Sequence, residues 1–216
     1  SVPKIAPLAA PVIVYSSYFF QGPGQWFSLL ACVAILVVVR IFELTVAKQF
    51  TSIKQSLRDF GAIGFQLVYV PLLISYAVLL IQKENGIAWV FSLVITVVMI
   101  DSFGYLVGRF FGRTKLIPTI SPKKTWEGFL ASVAGALAGG FLTGYLTSSS
   151  FWFGLLFAVA ILISSVLGDL SESLIKRDLN VKDMGDVLPG HGGFMDRLDS
   201  MLPSCFIAYL LSLVAF

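Results

Sequence analysis

Long apolar runs alternate with short polar segments along this chain. Six runs have about the length of a membrane-spanning helix, near 20 residues, and they cover residues 26–42, 62–81, 87–107, 129–146, 151–174 and 198–216. A seventh run, residues 6–20, is short for a span and ends at the turn-forming sequence Gln21-Gly-Pro-Gly24. We interpret it as either the end of a truncated helix or an interfacial helix. The pattern predicts an all-α, polytopic integral membrane helical bundle of about six to seven spans.

The segments between and within these runs differ in character. Residues 44–60 are polar and amphipathic, which is typical of either a helix lying against lipid headgroups or an ordinary connecting loop. Residues 109–127 are predicted to form a basic loop, and Pro71 predicts a kink in its span. Four glycines have the small-xxx-small spacing that lets helices pack closely, within one chain or between two: Gly135 with Gly139, and Gly140 with Gly144.

Composition supports a membrane protein and excludes an ordinary soluble domain. Only 12% of the residues are charged and 57% are hydrophobic, with a mean hydropathy of +0.88, whereas soluble domains are about 25% charged. Cys32 and Cys205 both lie in apolar runs, so we expect two buried hydrophobic side chains and neither a disulfide framework nor a zinc site.

Basic residues fall in three groups, and these groups predict the orientation in the membrane. Thirteen of the fifteen Lys and Arg residues lie in residues 40–58, 109–124 and 176–197. With the predicted spans, all three groups fall on one side of the bilayer, which the positive-inside rule makes cytoplasmic. We divide the chain into residues 1–60, a truncated N-terminal membrane region with an amphipathic linker; residues 61–128, a middle region with the basic loop; and residues 129–216, the C-terminal membrane region.

The stretch from residue 168 to residue 199 holds most of the acidic groups. Seven of the twelve carboxylates lie there: Asp169, Glu172, Asp178, Asp183, Asp186, Asp196 and Asp199. Charge that continues from an apolar run is costly at membrane depth and tends to be kept for function. If the preceding helix extends to Arg177, four polar residues share one of its faces at i, i+3, i+4 and i+7: Asp169, Glu172, Ser173 and Lys176.

The second half of this stretch predicts a ligand-binding loop. Leu188-Pro-Gly-His-Gly-Gly193 cannot form regular helix, and its glycines permit close approach of the backbone to a ligand. Asp196 and Asp199 follow at i, i+3 and are expected to face the same space as Asp169. Two carboxylate clusters beside basic residues suggest a divalent cation with phosphate, and such hard oxygen ligands suit Mg²⁺. Alternatively, these acids cap helix ends or pair with nearby Lys and Arg.

Two motifs in the C-terminal half resemble those of a known family. The first is Ser173-x-x-Lys176-Arg177-x4-Lys182-Asp183-x-Gly185-x-x-Leu188-Pro189-x-His191-Gly192-Gly193-Phe194-x-Asp196-Arg197-Leu198-Asp199, and the second is Ser121-Pro122-Lys123-Lys124-Thr125-Trp126-Glu127-Gly128. They resemble the signature of the phosphatidate cytidylyltransferases (CDP-diacylglycerol synthases). Because so many positions match at fixed spacing, the signal is far more specific than a lone glycine motif. The N-terminal half resembles the family only by hydropathy.

The resemblance implies an enzyme that transfers CMP from CTP to phosphatidate, giving CDP-diacylglycerol and pyrophosphate. It also implies dependence on Mg²⁺ with a second cation in the same pocket, further membrane helices upstream of Ser1, and a homodimer in the cytoplasmic membrane whose active site faces the cytoplasm. Membrane lipid is an expected partner and nucleic acid is not. The nearer alternatives are a CTP-dependent lipid or prenol kinase and an ether-lipid cytidylyltransferase. A cation transporter is more distant, because the charges gather at one face rather than along a pathway.

The matched positions define the candidate site. The catalytic candidates are Asp169, Lys176, Asp196 and Asp199, and the metal-ligand candidates among them are Asp169, Asp196 and Asp199. The substrate-binding candidates are Ser121, Lys123, Lys124, Thr125, Ser173, Arg177, Lys182, His191, Gly192, Gly193 and Arg197. Lys and Arg would bind phosphate, although they also suit membrane anchoring, ion pairing and general attraction to anionic lipid.

Two further residues stay open at this point. His191 is hardly needed as a base, because a phosphate monoester with a second pKa near 6 is already largely ionised; it donates a hydrogen bond to phosphate or shapes the loop. Asp101 lies deep in an apolar run and is expected to face the bundle interior. There it either supports the metal site or pairs with a buried basic residue.

Overall fold

The computed structural model describes residues 6–46, 53–178 and 198–215. Seven α-helices lie in these ranges: α1 (Ala9–Val46), α2 (Ile53–Leu67), α3 (Leu73–Ile81), α4 (Gly86–Phe111), α5 (Trp126–Leu146), α6 (Phe151–Asp178) and α7 (Met201–Ser212). Five helical stretches of the described chain are long and apolar enough to cross a membrane, and α7 is a shorter apolar helix. The chain is an all-α polytopic membrane protein, as the hydropathy pattern predicts.

The chain divides into two compact units, residues 1–82 and 83–216. In the first unit, α1 bends sharply at Gln21, whose φ of 53° lies in the left-handed region. The bend brings Gly24 against the backbone of Ser16, so that an added Cβ at Gly24 would clash with the Ser16 carbonyl oxygen and with Phe20. The turn predicted at residues 21–24 is confirmed, and the absence of a side chain at Gly24 makes it this tight.

The rest of the first unit runs from α2 into the second predicted span. Residues 53–60, the later part of the amphipathic segment, are helical and continue directly into the apolar run. The helix widens at Val68–Leu72 into one π-helical turn that contains Pro71, and α3 follows. A π turn accommodates a proline because the missing N–H and the ring both disturb the regular hydrogen-bond ladder. Gln25 then joins the two halves of the unit by donating to the buried Ser75 hydroxyl at 2.6 Å.

In the second unit, α5 packs between α4 and α6 through its glycines. A Cβ at Gly135 would lie 2.6 Å from the Met99 carbonyl oxygen of α4, and one at Gly140 would lie 2.6 Å from Ala158 Cβ of α6. Contacts this short leave no room for a side chain. The small-xxx-small spacing therefore serves packing within this chain, on two different faces of α5.

The segment predicted to be a basic loop contains a short β-hairpin. Strand β1 (Lys115–Ile117) pairs antiparallel with β2 (Ser121–Thr125), with Lys115 opposite Thr125 and Ile117 opposite Ser121. The prediction of a loop was therefore incomplete. Lysine-rich, proline-containing sequence has low β propensity, and the hairpin forms because its base is tied to α5, as described below.

Helices α6 and α7 meet at Gly168. An added Cβ at Gly168 would clash with the Asp199 carbonyl oxygen and would lie 3.0 Å from Pro203 Cγ. Further along the same contact, the buried hydroxyls of Ser164 and Ser204 are 2.8 Å apart. The last predicted span, residues 198–216, is a shorter helix here, because Asp199 and Ser200 form a turn before α7 begins.

Candidate active site

One pocket of about 690 Å³ lies within the second unit, between α4, the hairpin, α5, α6 and the turn before α7. Three acidic side chains line it, one from each of three elements: Asp101, Asp169 and Asp199. Four basic side chains also line it: Arg109, Lys115, Lys123 and Lys124. Several of the remaining lining residues are small, among them Gly104, Gly108, Gly128, Ser132 and Ser165. The pocket thus has room, carboxylate oxygens and basic side chains in one place.

The close approach of α6 and α7 brings Asp169 and Asp199 together. Asp169 follows Gly168 directly in α6, and it is at Gly168 that the backbone of Asp199 touches that helix. The Asp199 carboxylate also accepts a hydrogen bond from the backbone N–H of Ser200 at 2.7 Å, which holds the turn. Two of the metal-ligand candidates therefore share one wall of the pocket, while Asp196, the i, i+3 neighbour of Asp199, lies outside the described residues.

The pKa of Asp199 reflects the concentration of negative charge on this wall. Burial raises the pKa of the Asp199 carboxyl above its usual value, and the negative charge of Asp169 raises it further. Hydrogen bonds from Ser200 to the Asp199 carboxylate act in the opposite direction. A site that concentrates carboxylates in this way favours a bound cation, because a cation relieves both the desolvation and the mutual repulsion.

The basic side of the pocket is held by Glu127, at the start of α5. Its carboxylate accepts hydrogen bonds from the backbone N–H groups of Arg113 and Thr114, each at 3.1 Å. The Trp126 N–H adds a bond to the Thr114 carbonyl oxygen at 3.0 Å. These bonds close the base of the hairpin, and the hairpin in turn carries Lys115 into the pocket.

The Lys124 side chain extends from the hairpin to the wall of the pocket that carries Asp169 and Asp199, called the acidic wall below. Its ammonium forms an ion pair with the Asp169 carboxylate, and both side chains are partly exposed, at 26% and 31%. The next residue has a structural role, because the buried Thr125 hydroxyl caps α5 by accepting the Gly128 N–H at 3.2 Å. Two adjacent residues of the motif therefore have different roles: Lys124 contacts the acidic wall, and Thr125 caps a helix.

Four predicted site residues lie in described parts of the chain without lining the pocket: Ser121, Ser173, Lys176 and Arg177. The Lys176 ammonium lies 3.6 Å from the buried Glu172 carboxylate. The Arg177 guanidinium donates to the Ile120 carbonyl oxygen of the hairpin turn at 3.4 Å. The Lys176 contact is an i, i+4 pair within α6, whereas the Arg177 contact links the end of α6 to the hairpin.

Six further predicted residues lie outside the described ranges: Lys182, His191, Gly192, Gly193, Asp196 and Arg197. Their assignments stay predictions. Within the described ranges, no group of three or more His, Cys, Asp or Glu side chains is arranged to hold a metal ion. Among the described residues, the acidic wall therefore offers carboxylates for a cation but not a complete set of protein ligands.

The model of the cytidylyltransferase family matches residues 3–215 of this chain. The chain belongs to the cytidylyltransferase family. The resemblance inferred from the two motifs is confirmed, and the match extends through the N-terminal half, where hydropathy was the only signal.

Individual relatives give the same family. The chain is similar to the phosphatidate cytidylyltransferases of Mycobacterium bovis (46% identical over 155 residues, 71% of this chain and 51% of that protein) and Mycobacterium leprae (41% over 205 residues, 91% and 66%). It is also similar to that of Thermotoga maritima (32% over 198 residues, 88% of this chain and 70% of that protein). The chain spans about half the length of the first curated relatives that it matches.

Three charged residues of the pocket were not assigned to the family site from sequence: Asp101, Arg109 and Lys115. The spacing contains a signal for Asp101, because Asp101, Gly104, Tyr105 and Gly108 follow i, i+3, i+4 and i+7 and share a face of α4. That face is apolar except at Asp101 and Tyr105, so it resembles an ordinary packing face. Lys115 has no such signal, since its approach to the pocket depends on the hairpin.

Proposed function

We propose that this chain forms the CMP-transfer site of a phosphatidate cytidylyltransferase and makes CDP-diacylglycerol and pyrophosphate from CTP and phosphatidate. The observation that carries the proposal is the joining of three carboxylates and four basic side chains in one pocket of a membrane protein. Both substrates bring phosphate groups, and the lipid substrate is confined to the bilayer. The names of the relatives support the same reaction.

The reaction is an in-line displacement at phosphorus. A phosphate oxygen of phosphatidate attacks the α-phosphorus of CTP, and the bond from that phosphorus to the oxygen bridging to the β-phosphorus breaks. Pyrophosphate leaves with the bonding electron pair. Since the attacking phosphate is largely ionised at neutral pH, no side chain has to remove a proton from it. The task of the chain is to bring two anions together and to neutralise their charge.

The basic residues suit that task. Lys115 and Lys123 belong to the hairpin and Arg109 to the last turns of α4, so that three cations from two elements line the pocket. Arg109 would bind phosphate oxygens through two N–H groups, whereas the lysines act as point charges. The hydrogen bonds from Arg113 and Thr114 to Glu127 keep the hairpin at a fixed distance from α5, which keeps its lysines directed at the substrates.

The acidic residues fit Mg²⁺. Asp169 and Asp199 would hold it, with Asp101 lining the same pocket; Asp196, outside the described ranges, remains a predicted ligand. This donor set matches Mg²⁺ in kind, since Mg²⁺ usually takes one or two carboxylates and completes its shell with water and substrate phosphates. When bound, Mg²⁺ supplies positive charge that stabilises the reacting phosphate oxygens. The orientation of the pocket toward the cytoplasm rests on the positive-inside rule, and homodimer formation remains a prediction.

The proposal is tested by following two labels. Purified protein is incubated with phosphatidate, Mg²⁺ and CTP labelled either at the α- or at the γ-phosphate. Transfer of the α-label to lipid is expected, whereas transfer of the γ-label would identify a kinase and overturn the proposal. Asp169→Asn should lower CDP-lipid formation by about 100-fold or more, as for other removed charge-stabilising groups. Asp178→Asn is the matched control, because Asp178 is an exposed residue of the same helix that does not line the pocket.

A further inference from the structure

Lys124 lies beside the carboxylates of the pocket that would hold a cation. The Lys124 ammonium is paired with Asp169, and its charge also acts on Asp101. It therefore lies among the same carboxylates that suit a divalent cation. The remaining lysines of the pocket do not form an ion pair with Asp169 in the described residues.

Lys124 and a divalent cation compete for the Asp169 carboxylate. Two positive charges on one carboxylate repel each other strongly at contact distance, above all where the surroundings are partly desolvated. The ion pair of Lys124 with Asp169 is a partly exposed one, and such pairs are weak enough to be exchanged. A cation that binds Asp169 would therefore displace the ammonium.

The displaced ammonium has a defined range of movement. The hairpin backbone is held at its base by Glu127, so the four-carbon stem of Lys124 moves rather than the strand. The anions within its reach are then Asp101, on which its charge already acts, and the phosphate oxygens of substrate in the same pocket. The lysine would exchange one anion for another without leaving the site.

We propose that Lys124 is an exchangeable counter-ion: it neutralises Asp169 in the free protein and moves to substrate phosphate when a divalent cation takes that carboxylate. The inference rests on the proposed function for the identity of the phosphate, but the exchange at Asp169 does not depend on the reaction. One consequence is that cation and phosphate each improve the binding of the other, because linkage between two sites is reciprocal. Lys124 would thus prevent either one from occupying the pocket tightly alone.

The test measures Mn²⁺ binding to purified protein without CTP or lipid, by the electron paramagnetic resonance signal of free Mn²⁺. Lys124→Gln should bind Mn²⁺ roughly fivefold more tightly than the wild type, the factor expected from losing an ion pair of this exposure. Lys123→Gln is the matched control, because it removes the same charge from the adjacent residue of the same strand and pocket. Lys124→Arg keeps the charge and should not tighten binding; Lys124→Met replaces Lys124→Gln if the latter does not fold.

Two results would overturn the proposal. The first is an equal increase in Mn²⁺ affinity in Lys123→Gln and Lys124→Gln. The increase would then come from removing any positive charge near the pocket rather than from the Lys124–Asp169 pair. The second is Mn²⁺ binding that is unchanged in Asp169→Asn, which would place the cation elsewhere. Failure to form CDP-lipid, with the Mn²⁺ exchange intact, would overturn the proposed function alone.

The second part of the proposal, movement of Lys124 to substrate phosphate, is tested with a water-soluble short-chain phosphatidate. In the wild type, saturating Mn²⁺ should tighten its binding, and in Lys124→Gln that enhancement should fall by roughly fivefold, the same factor as for the cation. An enhancement as large in the variant as in the wild type would show that the lysine does not move to phosphate.

Discussion

Gly168→Ala is the substitution that most directly tests how the acidic wall is built. The added methyl group would lie 3.0 Å from Pro203 Cγ and 3.2 Å from the carbonyl carbon of Asp199, and closer still to its carbonyl oxygen. An ordinary carbon–oxygen contact is about 3.3 Å or longer. Backbone atoms cannot rotate away as the end of a flexible side chain can, so the turn that carries Asp199 has to shift by about 1 Å relative to α6.

Two opposing terms set the effect on stability. Overpacking of a close contact costs about 1–3 kcal/mol, whereas replacing glycine by alanine inside a helix stabilises it by about 1 kcal/mol. The net loss of stability is therefore small, about 0–2 kcal/mol. Misplacement of a site group by about 1 Å, in contrast, costs about 100-fold in rate. We expect a folded protein with a severe loss of turnover.

The assay compares CDP-lipid formation with the thermal unfolding midpoint in the same detergent. Gly144→Ala is the control, because its added methyl group would meet only ordinary contacts, the nearest at 3.6 Å from the Ser150 carbonyl oxygen. The control should keep wild-type turnover. Gly168→Ala with wild-type turnover and wild-type Mn²⁺ affinity would refute the reasoning, since Asp199 would then be placed by something other than this contact.

Two further predictions concern the other parts of the site. Glu127→Ala should raise the KM for CTP several-fold, because the hairpin that carries Lys115 and Lys123 loses the acceptor at its base. Glu127→Gln keeps one carbonyl acceptor and should therefore show a smaller increase in KM. Equal KM values for the two variants would contradict a positioning role for Glu127. Mn²⁺ affinity should weaken as the pH falls, because ligating carboxylates must be deprotonated. Since the pKa of Asp199 is raised, this loss should begin at higher pH than for an ordinary aspartate and should move to lower pH in Asp199→Asn, as a titration of Mn²⁺ binding against pH would show.

Local sequence was enough to predict the helices and much of the acidic wall. The length of an apolar run determines whether it can cross a bilayer, and five such helical stretches appear in the described chain. The fixed spacing of the motif indicated the family. Asp169 lines the pocket, whereas Ser173 and Lys176, which the helical spacing puts on the same face, do not. These features are local, since each depends on residues within a few turns of one another.

Contacts between segments that are distant in sequence determine which other residues line the pocket. Asp101 reaches the pocket because α4 packs on α5 at Gly135, and Lys115 reaches it because Glu127 ties the hairpin to α5. Helical periodicity specifies which residues share a face, but it does not specify which face of another helix they meet. That choice depends on the close backbone approaches that glycines permit and on hydrogen bonds between separate elements. The sequence by itself therefore determined the family, the helices and the candidate acids, whereas only the tertiary structure determined which acids and lysines meet in one pocket.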